Sequence, residues 1–300
     1  MPAPLLMVLA TFLFATMGVC VKLASEFYTA SEIVMYRGLV GLVMMAWLCR
    51  RQRITLATRL PGMHLWRSIS GVTSLCLWFY AIGKLPLATA MTLNYMSSVW
   101  MALFLLGGAV LMGAQKLDWR LMASVLLGFA GVALMLRPTL DQQQLWHGLA
   151  GLLSGMLAAM AYLQVTALGR AGEPELRVVF YFSIGGAVAG ALITGVTEGG
   201  LQPHTPWGAA LLLAVGLLAT TAQVCLTRAY AIGRPLVNAC LQYLGIVFSF
   251  LYGMLLFQDP LTWLAGLGML LIIGAGIAAT LLRSRVAPPP KDSQFNPAES

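Results

Sequence analysis

Charged side chains are scarce in this chain of 300 residues, where aspartate, glutamate, lysine and arginine together make up 9%. A soluble domain carries about 25% charged residues. Here 59% of the residues are hydrophobic and the mean hydropathy is +0.83. This composition excludes an ordinary soluble domain and predicts a protein that lies in the lipid bilayer.

Motifs for catalysis, metal binding and ATP hydrolysis are also missing. The sequence has no His-Glu-x-x-His, Gly-x-Ser-x-Gly or paired aspartate motif, and no Gly-x-x-x-x-Gly-Lys phosphate loop. An enzyme and an ATP-driven pump are therefore disfavoured, and we expect no cofactor and no metal. Five cysteines lack the short paired spacings of zinc and redox sites, so we expect small buried residues at Cys20, Cys49, Cys76, Cys225 and Cys240.

Long apolar segments make up most of the chain, each close to the roughly 20 residues that a helix needs to cross a bilayer. We predict helices, because an open strand cannot satisfy its backbone in lipid and alternating barrel-type segments are absent. The tail 284–300, which contains Pro288 to Pro290, is predicted to be disordered. The ten predicted transmembrane helices are 4–23, 31–49, 65–83, 87–112, 119–136, 147–168, 176–195, 207–231, 235–257 and 261–282.

Lysine and arginine are unevenly divided between the predicted loops. With a cytoplasmic N-terminus, the outer loops receive only Lys22, Lys84 and Arg137, whereas the stretch from Arg50 to Arg67 lies inside. Positive charge favours the cytoplasmic side, so we predict that both termini are cytoplasmic. The net charge of +8 is then explained by residues that flank helices, and no nucleic-acid partner is expected.

An internal duplication divides the chain into two halves. The phrase Tyr-Ala-Ile-Gly followed by a cation occurs at 80–84 and again at 230–234, and Leu93-Asn94-Tyr95 matches Leu241-Gln242-Tyr243. Each half contains five predicted helices, and an odd number makes the second copy enter the membrane from the opposite side. We therefore predict two inverted five-helix repeats, residues 4–137 and 147–283.

A polar stripe follows the predicted ninth helix, where Asn238, Gln242, Gly245 and Ser249 recur at helical spacing. Asn94 is the counterpart of Gln242 in the predicted fourth helix. Amides on two symmetry-related helices would offer donors and acceptors to a solute in a shared cavity. The alternative is that these residues only pack helices together, as Asn, Gln, Ser and Gly often do in membranes.

Aromatic residues within the predicted spans extend this hypothesis. Tyrosine and tryptophan can wall an amphipathic pocket and stack on a planar or cationic solute, although both also form belts at the membrane surface. For Tyr80, which lies near a helix end, we favour the belt. The predicted substrate-binding residues are Trp78, Asn94, Tyr95, Trp100, Tyr162, Gln223, Asn238, Gln242 and Tyr243.

Two arginines lie within predicted spans, where a charge costs about 2.5–3.5 kcal/mol. Arg37 lies about two turns into the second helix, and we favour a structural or gating role over a position on the cavity. Arg228 lies near the end of the eighth helix, where we favour extension to the membrane surface over substrate contact. No acidic residue lies in the middle of a span, so we expect a facilitator or exchanger; the alternative is a proton antiporter that uses Glu32 or Glu175.

Several phrases resemble the drug/metabolite transporter superfamily, in its ten-helix branch with two EamA domains, over residues 5–283. They are Tyr36-Arg37-Gly38, the stretch 80–90, and the stretch 128–138 ending in Leu136-Arg137-Pro138. Family members carry a glutamate before a Leu-Thr pair at the ends of the fourth and ninth helices, where this chain has the stretches 114–118 and 257–262 without that glutamate.

The resemblance implies an exporter of small organic metabolites in the bacterial cytoplasmic membrane, acting as a monomer or homodimer. Relatives carry amino acids, amines, nucleoside-like metabolites or nucleotide sugars. Because few charges line the predicted path, we expect a small zwitterion, an amine or a neutral amphipath. A non-transporting membrane scaffold and a channel are the alternatives outside the carriers.

Overall fold

The computed structural model describes residues 1–111, 142–197, 200–233, 241–258 and 262–286, together with single residues between 120 and 134 and residue 238. Most of the predicted fifth helix, Arg137, Arg234, Cys240 and the tail beyond Val286 lie outside the described residues. The described residues form helices and no strand. The helices are α1 Ala3–Ala24, α2 Ala30–Arg51, α3 Pro61–Lys84, α4 Leu87–Tyr95, α5 Ser97–Leu111, α6 Gln142–Arg170, α7 Glu175–Thr197, α8 Pro206–Ile232, α9 Leu244–Phe257 and α10 Trp263–Val286.

Five of these helices are long and apolar enough to cross a membrane, namely α1, α2, α6, α7 and α8. The shorter helix α9 and the stretch 266–275 of α10 are also apolar. The prediction of an all-α membrane protein is confirmed at this level, whereas ten spans stay a prediction. In α3, polar residues that face the protein interior, such as Arg67, Ser70 and Ser74, lower the overall hydropathy.

Local sequence sets where several helices begin. Thr29 and Thr205 cap α2 and α8, since each hydroxyl accepts a backbone N–H, at 3.3 Å and 3.0 Å. Proline opens α3 and α8, where its missing N–H costs nothing. Because α3 begins at Pro61, four residues before the predicted start, Arg67 lies in the second turn of the helix and not in a cytoplasmic loop.

Two of the predicted helices are interrupted. The segment predicted as 87–112 contains a turn at Met96 between α4 and α5, and the segment predicted as 235–257 contains a turn at Tyr243 before α9. Hydrogen bonds three residues apart tighten both places, from Val99 N–H to Met96 O at 2.9 Å and from Ile246 N–H to Tyr243 O at 3.0 Å. Each predicted span therefore contains a turn that hydropathy does not report.

Helices of the two halves pack against each other in pairs. Helix α1 packs on α8, α2 on α7, α3 on α6 and α4 on α9. The α2–α7 pair is antiparallel and close, because Gly38 lies against the backbone of Ala187 while Gly190 lies against the backbone of Met35. Small residues permit such close backbone approach in membrane proteins. The largest buried cluster contains residues from α1, α3, α4 and α8, and the candidate site lies beside it.

Candidate functional site

A central cavity lies where helices of both halves meet. About 580 Å³ of empty space lies between its walls, a volume that includes open solvent. Residues from α1 to α4 and from α6 to α8 line it, together with Gln242. The polar and aromatic lining residues are Thr11, Phe14, Arg37, Arg67, Ser74, Trp78, Asn94, Tyr95, Tyr162, Phe182, Gln223 and Gln242.

Two buried arginines dominate the electrostatics of the cavity. Arg37 of α2 is 4% exposed and Arg67 of α3 is 3% exposed. Their guanidinium carbons lie 5.0 Å and 4.1 Å from the ring centre of Phe182, which places both within cation–π distance of one ring. Nε of each arginine and Nη1 of Arg67 have no hydrogen-bond partner. No ion pair joins either guanidinium to a carboxylate in the described part of the chain.

The position of Arg37 bears on the alternatives that the sequence leaves open. The sequence left open whether Arg37 has a structural or gating role or faces the cavity. In the structure Arg37 lies on the cavity wall. The nearby acid Glu32 lies 3.6 Å from His204 Nε2 and accepts a hydrogen bond from the backbone N–H of Gln202 at 3.4 Å. Arg37 is thus part of the phrase Tyr36-Arg37-Gly38 that resembles the family, and it also lines the cavity.

Asn94 both lines the cavity and joins two helices. Its Nδ2 donates to Ser154 Oγ at 3.1 Å, and Ser74 Oγ donates to the carbonyl of Ser154 at 2.8 Å. Helices α6 and α4 can approach closely at this point because Gly155 has no side chain. A Cβ on Gly155 would lie 2.6 Å from the carbonyl oxygen of Leu93. Asn94 therefore has both of the positions considered from the sequence: it lines the cavity, and it packs two helices together.

Gln242 belongs to a second polar group on the opposite side. Its Oε1 accepts a hydrogen bond from Tyr230 Oη at 3.2 Å. The rings of Tyr230 and Tyr162 stack with centroids 6.0 Å apart. Gln242 and Tyr162 line the cavity, so the hydrogen bond and the stacking tie Tyr230 to the site as a supporting residue.

Trp78 and Tyr95 form an aromatic wall with polar tips. Trp78 packs edge-on against Phe14, with ring centroids 6.4 Å apart. Trp78 Nε1 and Tyr95 Oη are buried without a hydrogen-bond partner. Gly245 of α9 makes room for Tyr95, since a Cβ at that glycine would collide with Tyr95 Oη. Both side chains therefore contribute aromatic ring surface to the cavity wall.

Four residues predicted for the site or as special charges lie outside the lining of this cavity. Trp100 stacks on Phe104 in α5, with ring centroids 6.2 Å apart. Asn238 Nδ2 donates to the carbonyl of Ala229 at 2.6 Å, and Tyr243 is buried in the main apolar cluster. The Arg228 side chain is 55% exposed and lies 3.4 Å from Glu175 Oε1, an arrangement that fits the favoured surface role.

Sequence reasoning missed Arg67, Phe182 and the supporting Tyr230. Arg67 was counted among the cytoplasmic cations because its helix was predicted to start at residue 65. A signal was nevertheless present, since Arg67, Gly71, Ser74 and Trp78 have the same spacing as the polar stripe of the ninth helix, and all four line the cavity. No comparable pattern marks Phe182 within its apolar helix.

Two glutamate–histidine contacts lie away from the cavity. Glu173 Oε2 is 3.4 Å from His64 Nε2, and Glu32 Oε1 is 3.6 Å from His204 Nε2. Glu173 also accepts hydrogen bonds from Thr58 Oγ1 at 2.7 Å and Arg177 Nη1 at 2.9 Å. Burial raises the pKa of the Glu173 carboxyl, but these hydrogen bonds and the nearby positive charge outweigh burial and lower the pKa below its ordinary value.

Comparisons with known proteins agree on one family. The EamA-like transporter family matches residues 1–137. The pseudopaline exporter CntI of Pseudomonas aeruginosa is 33% identical over 280 residues, which cover 91% of this chain and 94% of that protein. A riboflavin transporter of Rhizobium johnstonii is 27% identical, with 90% and 88% covered. A solved crystal structure with 18% identity has a TM-score of 0.67 over 94% of this chain and 98% of that one, and so shares the fold.

Proposed function

This chain belongs to the EamA-like transporter family and is a membrane transporter of small metabolites, and we propose that it exports its solute through the central cavity by alternating access. The observation that carries this proposal is the cavity itself, which both halves line with buried polar and aromatic side chains. A site between two halves can be exposed to either side when one half rocks against the other.

The helix pairs support two inverted repeats, residues 4–137 and 147–283. In such a repeat α1, α2 and α3 correspond to α6, α7 and α8. Exchanging the halves turns the α1–α8 contact into the α3–α6 contact, and it leaves the α2–α7 contact as it is. This is the pattern that a two-fold relation requires, and the antiparallel α2–α7 pair fits an axis in the membrane plane.

Alternating access requires helices to bend, and the two tightened turns are candidate bending points. They lie at Met96 and Tyr243, one or two residues beyond the matched amides Asn94 and Gln242. Short stretches of tighter helix inside longer helices often mark hinges, and transporters often interrupt helices beside the bound solute. We infer that these turns allow α4 and α9 to bend next to the site.

Transport by exchange or facilitated diffusion is the favoured mechanism. No carboxylate or histidine is among the described residues that line the cavity, so the site itself offers no evident proton carrier. Proton antiport is the second candidate, because the fully buried Glu32 lies beside His204 and its protonation would change a buried charge. Export is favoured because one relative is named as an exporter.

The proposed setting is the bacterial cytoplasmic membrane with both termini in the cytoplasm, where the protein acts as a monomer or homodimer. The distribution of lysine and arginine between loops supports the orientation. Labelling single cysteines placed near residues 2 and 296 from either side of the membrane tests it. Labelling of either site from the periplasm would overturn the predicted topology.

Purified protein in proteoliposomes tests the transport mechanism. A metabolite panel is first screened for solutes that raise the unfolding temperature, because a ligand that binds only the folded state stabilises it. We then expect saturable uptake of the radiolabelled solute that accelerates when unlabelled solute is present on the other side. Flux that does not saturate would indicate a channel, and uphill accumulation driven by a pH gradient would favour the antiporter.

A further inference from the structure

We propose that the central cavity binds a small organic anion with two carboxylate groups, held by Arg37 and Arg67 against an aromatic wall. This inference rests on the proposed carrier function and names the chemical class of its solute. It differs from the zwitterion, amine or neutral amphipath expected from the sequence, because that expectation did not include Arg67 in the site.

The first argument is the balance of charge. Arg177 and Arg228, at other places in the structure, each lie beside a glutamate, at 2.9 Å and 3.4 Å. Arg37 and Arg67 are almost fully buried, yet no carboxylate pairs with them within the described ranges. Burying a charge is costly unless an opposite charge accompanies it. Two positive charges in one cavity are best compensated by a ligand with two negative charges.

The second argument is the kind of polar atom that is left without a partner. Among the cavity-lining side chains, the buried atoms without a partner include Nε of Arg37, Nε and Nη1 of Arg67, and Nε1 of Trp78. These nitrogens are donors only. A ligand that satisfies them must be rich in acceptors. A carboxylate offers two oxygens and no donor, whereas an amine offers the opposite.

The third argument is that the arginines are held in place before any ligand binds. The ring centre of Phe182 lies within 5.0 Å of both guanidinium carbons. This ring orients the two arginine side chains without supplying a negative charge. Gly71 leaves space for Arg67, since a Cβ at that position would collide with Arg67 Nη1. A guanidinium that is already oriented loses less conformational entropy when it binds an anion.

The geometry favours carboxylate over phosphate. Both groups match the guanidinium fork, but phosphate sites commonly add backbone N–H groups from the first turn of a helix. Arg37 is the eighth residue of α2 and Arg67 is the seventh of α3, where backbone N–H groups are used within the helix. The flat walls formed by Trp78 and Tyr95 also suit a solute with a planar or apolar body.

A matched series of probes tests the charge requirement. Isophthalate, 3-carbamoylbenzoate and isophthalamide share one shape and carry two, one and no carboxylates. Succinate, glutarate and adipate extend the dicarboxylate set, and phenyl phosphate is the phosphate probe. The unfolding temperature of the purified protein is measured with each probe at constant ionic strength, for the original chain and for Arg37→Gln, Arg67→Gln and the surface control Arg228→Gln.

We expect at least one dicarboxylate to raise the unfolding temperature by several degrees, the one-carboxylate analogue to act more weakly and the neutral analogue not at all. Arg37→Gln or Arg67→Gln should abolish the shift, whereas Arg228→Gln should retain it. Without ligand, Arg67→Gln should unfold at the same temperature or about 2–4 °C higher, because it removes an uncompensated buried charge. A structural arginine would show the opposite change.

The anion site is overturned if no dicarboxylate stabilises the protein, if isophthalamide or an amine acts as strongly as isophthalate, or if Arg67→Gln lowers the unfolding temperature of the ligand-free protein. Phenyl phosphate acting more strongly than every dicarboxylate would overturn the carboxylate assignment. Counterflow of a neutral solute alone would overturn the anion site and leave the carrier function intact. Dicarboxylate binding without any flux would instead overturn the carrier function.

Discussion

The contact between α2 and α7 predicts that adding one methyl group at Gly190 destabilises the protein. A Cβ at this position would lie 2.6 Å from the backbone nitrogen of Met35, 2.7 Å from its Cα and 2.7 Å from the carbonyl oxygen of Ser31. All three are backbone atoms of α2, so no side-chain rotation relieves the contact. Gly190→Ala therefore has to push two packed helices apart.

Two opposing terms set the size of the effect. Replacing glycine by alanine within a helix gains about 1 kcal/mol from helix propensity. Forcing a methyl group into a filled contact costs about 1–3 kcal/mol, and the rigid backbone on the other side places Gly190 at the upper end. The expected net loss is about 2 kcal/mol. For a domain of this size that loss lowers the unfolding temperature by about 4–8 °C.

Gly195→Ala is the matched control, because it makes the same change in the same helix. Nothing lies within 4 Å of a Cβ at Gly195, so this variant should be as stable as the original chain or gain up to about 1 kcal/mol. Tryptophan fluorescence during thermal unfolding in detergent compares the three proteins. Equal unfolding temperatures for the two variants would refute the direct backbone contact between α2 and α7.

Three further predictions concern single contacts. Glu173→Gln should lower the unfolding temperature at pH 7 and have a smaller effect below about pH 4. The reason is that a carboxyl with a depressed folded pKa stabilises the fold above its unfolded pKa of about 4.3 and loses this effect as the pH falls through the folded pKa. An equal effect at both pH values would contradict the prediction. Ser154→Ala removes the acceptor of Asn94 and should cost about 1 kcal/mol, seen as a fall of about 2–4 °C; an unchanged temperature would show that the bond contributes nothing. Gly245→Ala should displace the Tyr95 ring at a cost of about 1–3 kcal/mol, and binding titrations should then show about tenfold weaker affinity for the transported solute; unaltered affinity would place Tyr95 outside the binding site.

The sequence was sufficient to locate much of the cavity. Trp78, Asn94, Tyr162, Gln223 and Gln242 are among the predicted substrate-binding residues, Asn94 and Gln242 because of the polar stripe on matched helices and the aromatic residues because they lie within predicted spans. The structure places each of them on the cavity wall. The duplication added to this reasoning, since a residue with a matched partner in the other half is expected near the axis that relates the halves.

The residues that sequence reasoning missed or misplaced depend on local geometry that composition does not record. Arg67 enters the site because Pro61 starts α3 one turn early. Trp100 lies outside the cavity lining four residues beyond the turn at Met96, and Tyr243 lies outside it at the second turn. Tighter winding at such a turn changes the angular spacing of side chains. A helical stripe predicted with constant spacing cannot follow such a change.

The pair of buried arginines also bears on whether the carrier exchanges solutes or lets them diffuse. Alternating access requires the site to move relative to the bilayer both with and without solute. Without solute, Arg37 and Arg67 carry two charges that no described carboxylate compensates, and moving them through a low-dielectric region is costly. A bound dianion cancels that charge, so the loaded protein should change conformation faster than the empty one. The anion site therefore favours exchange over facilitated diffusion, and the acceleration of flux by solute on the opposite side measures the difference.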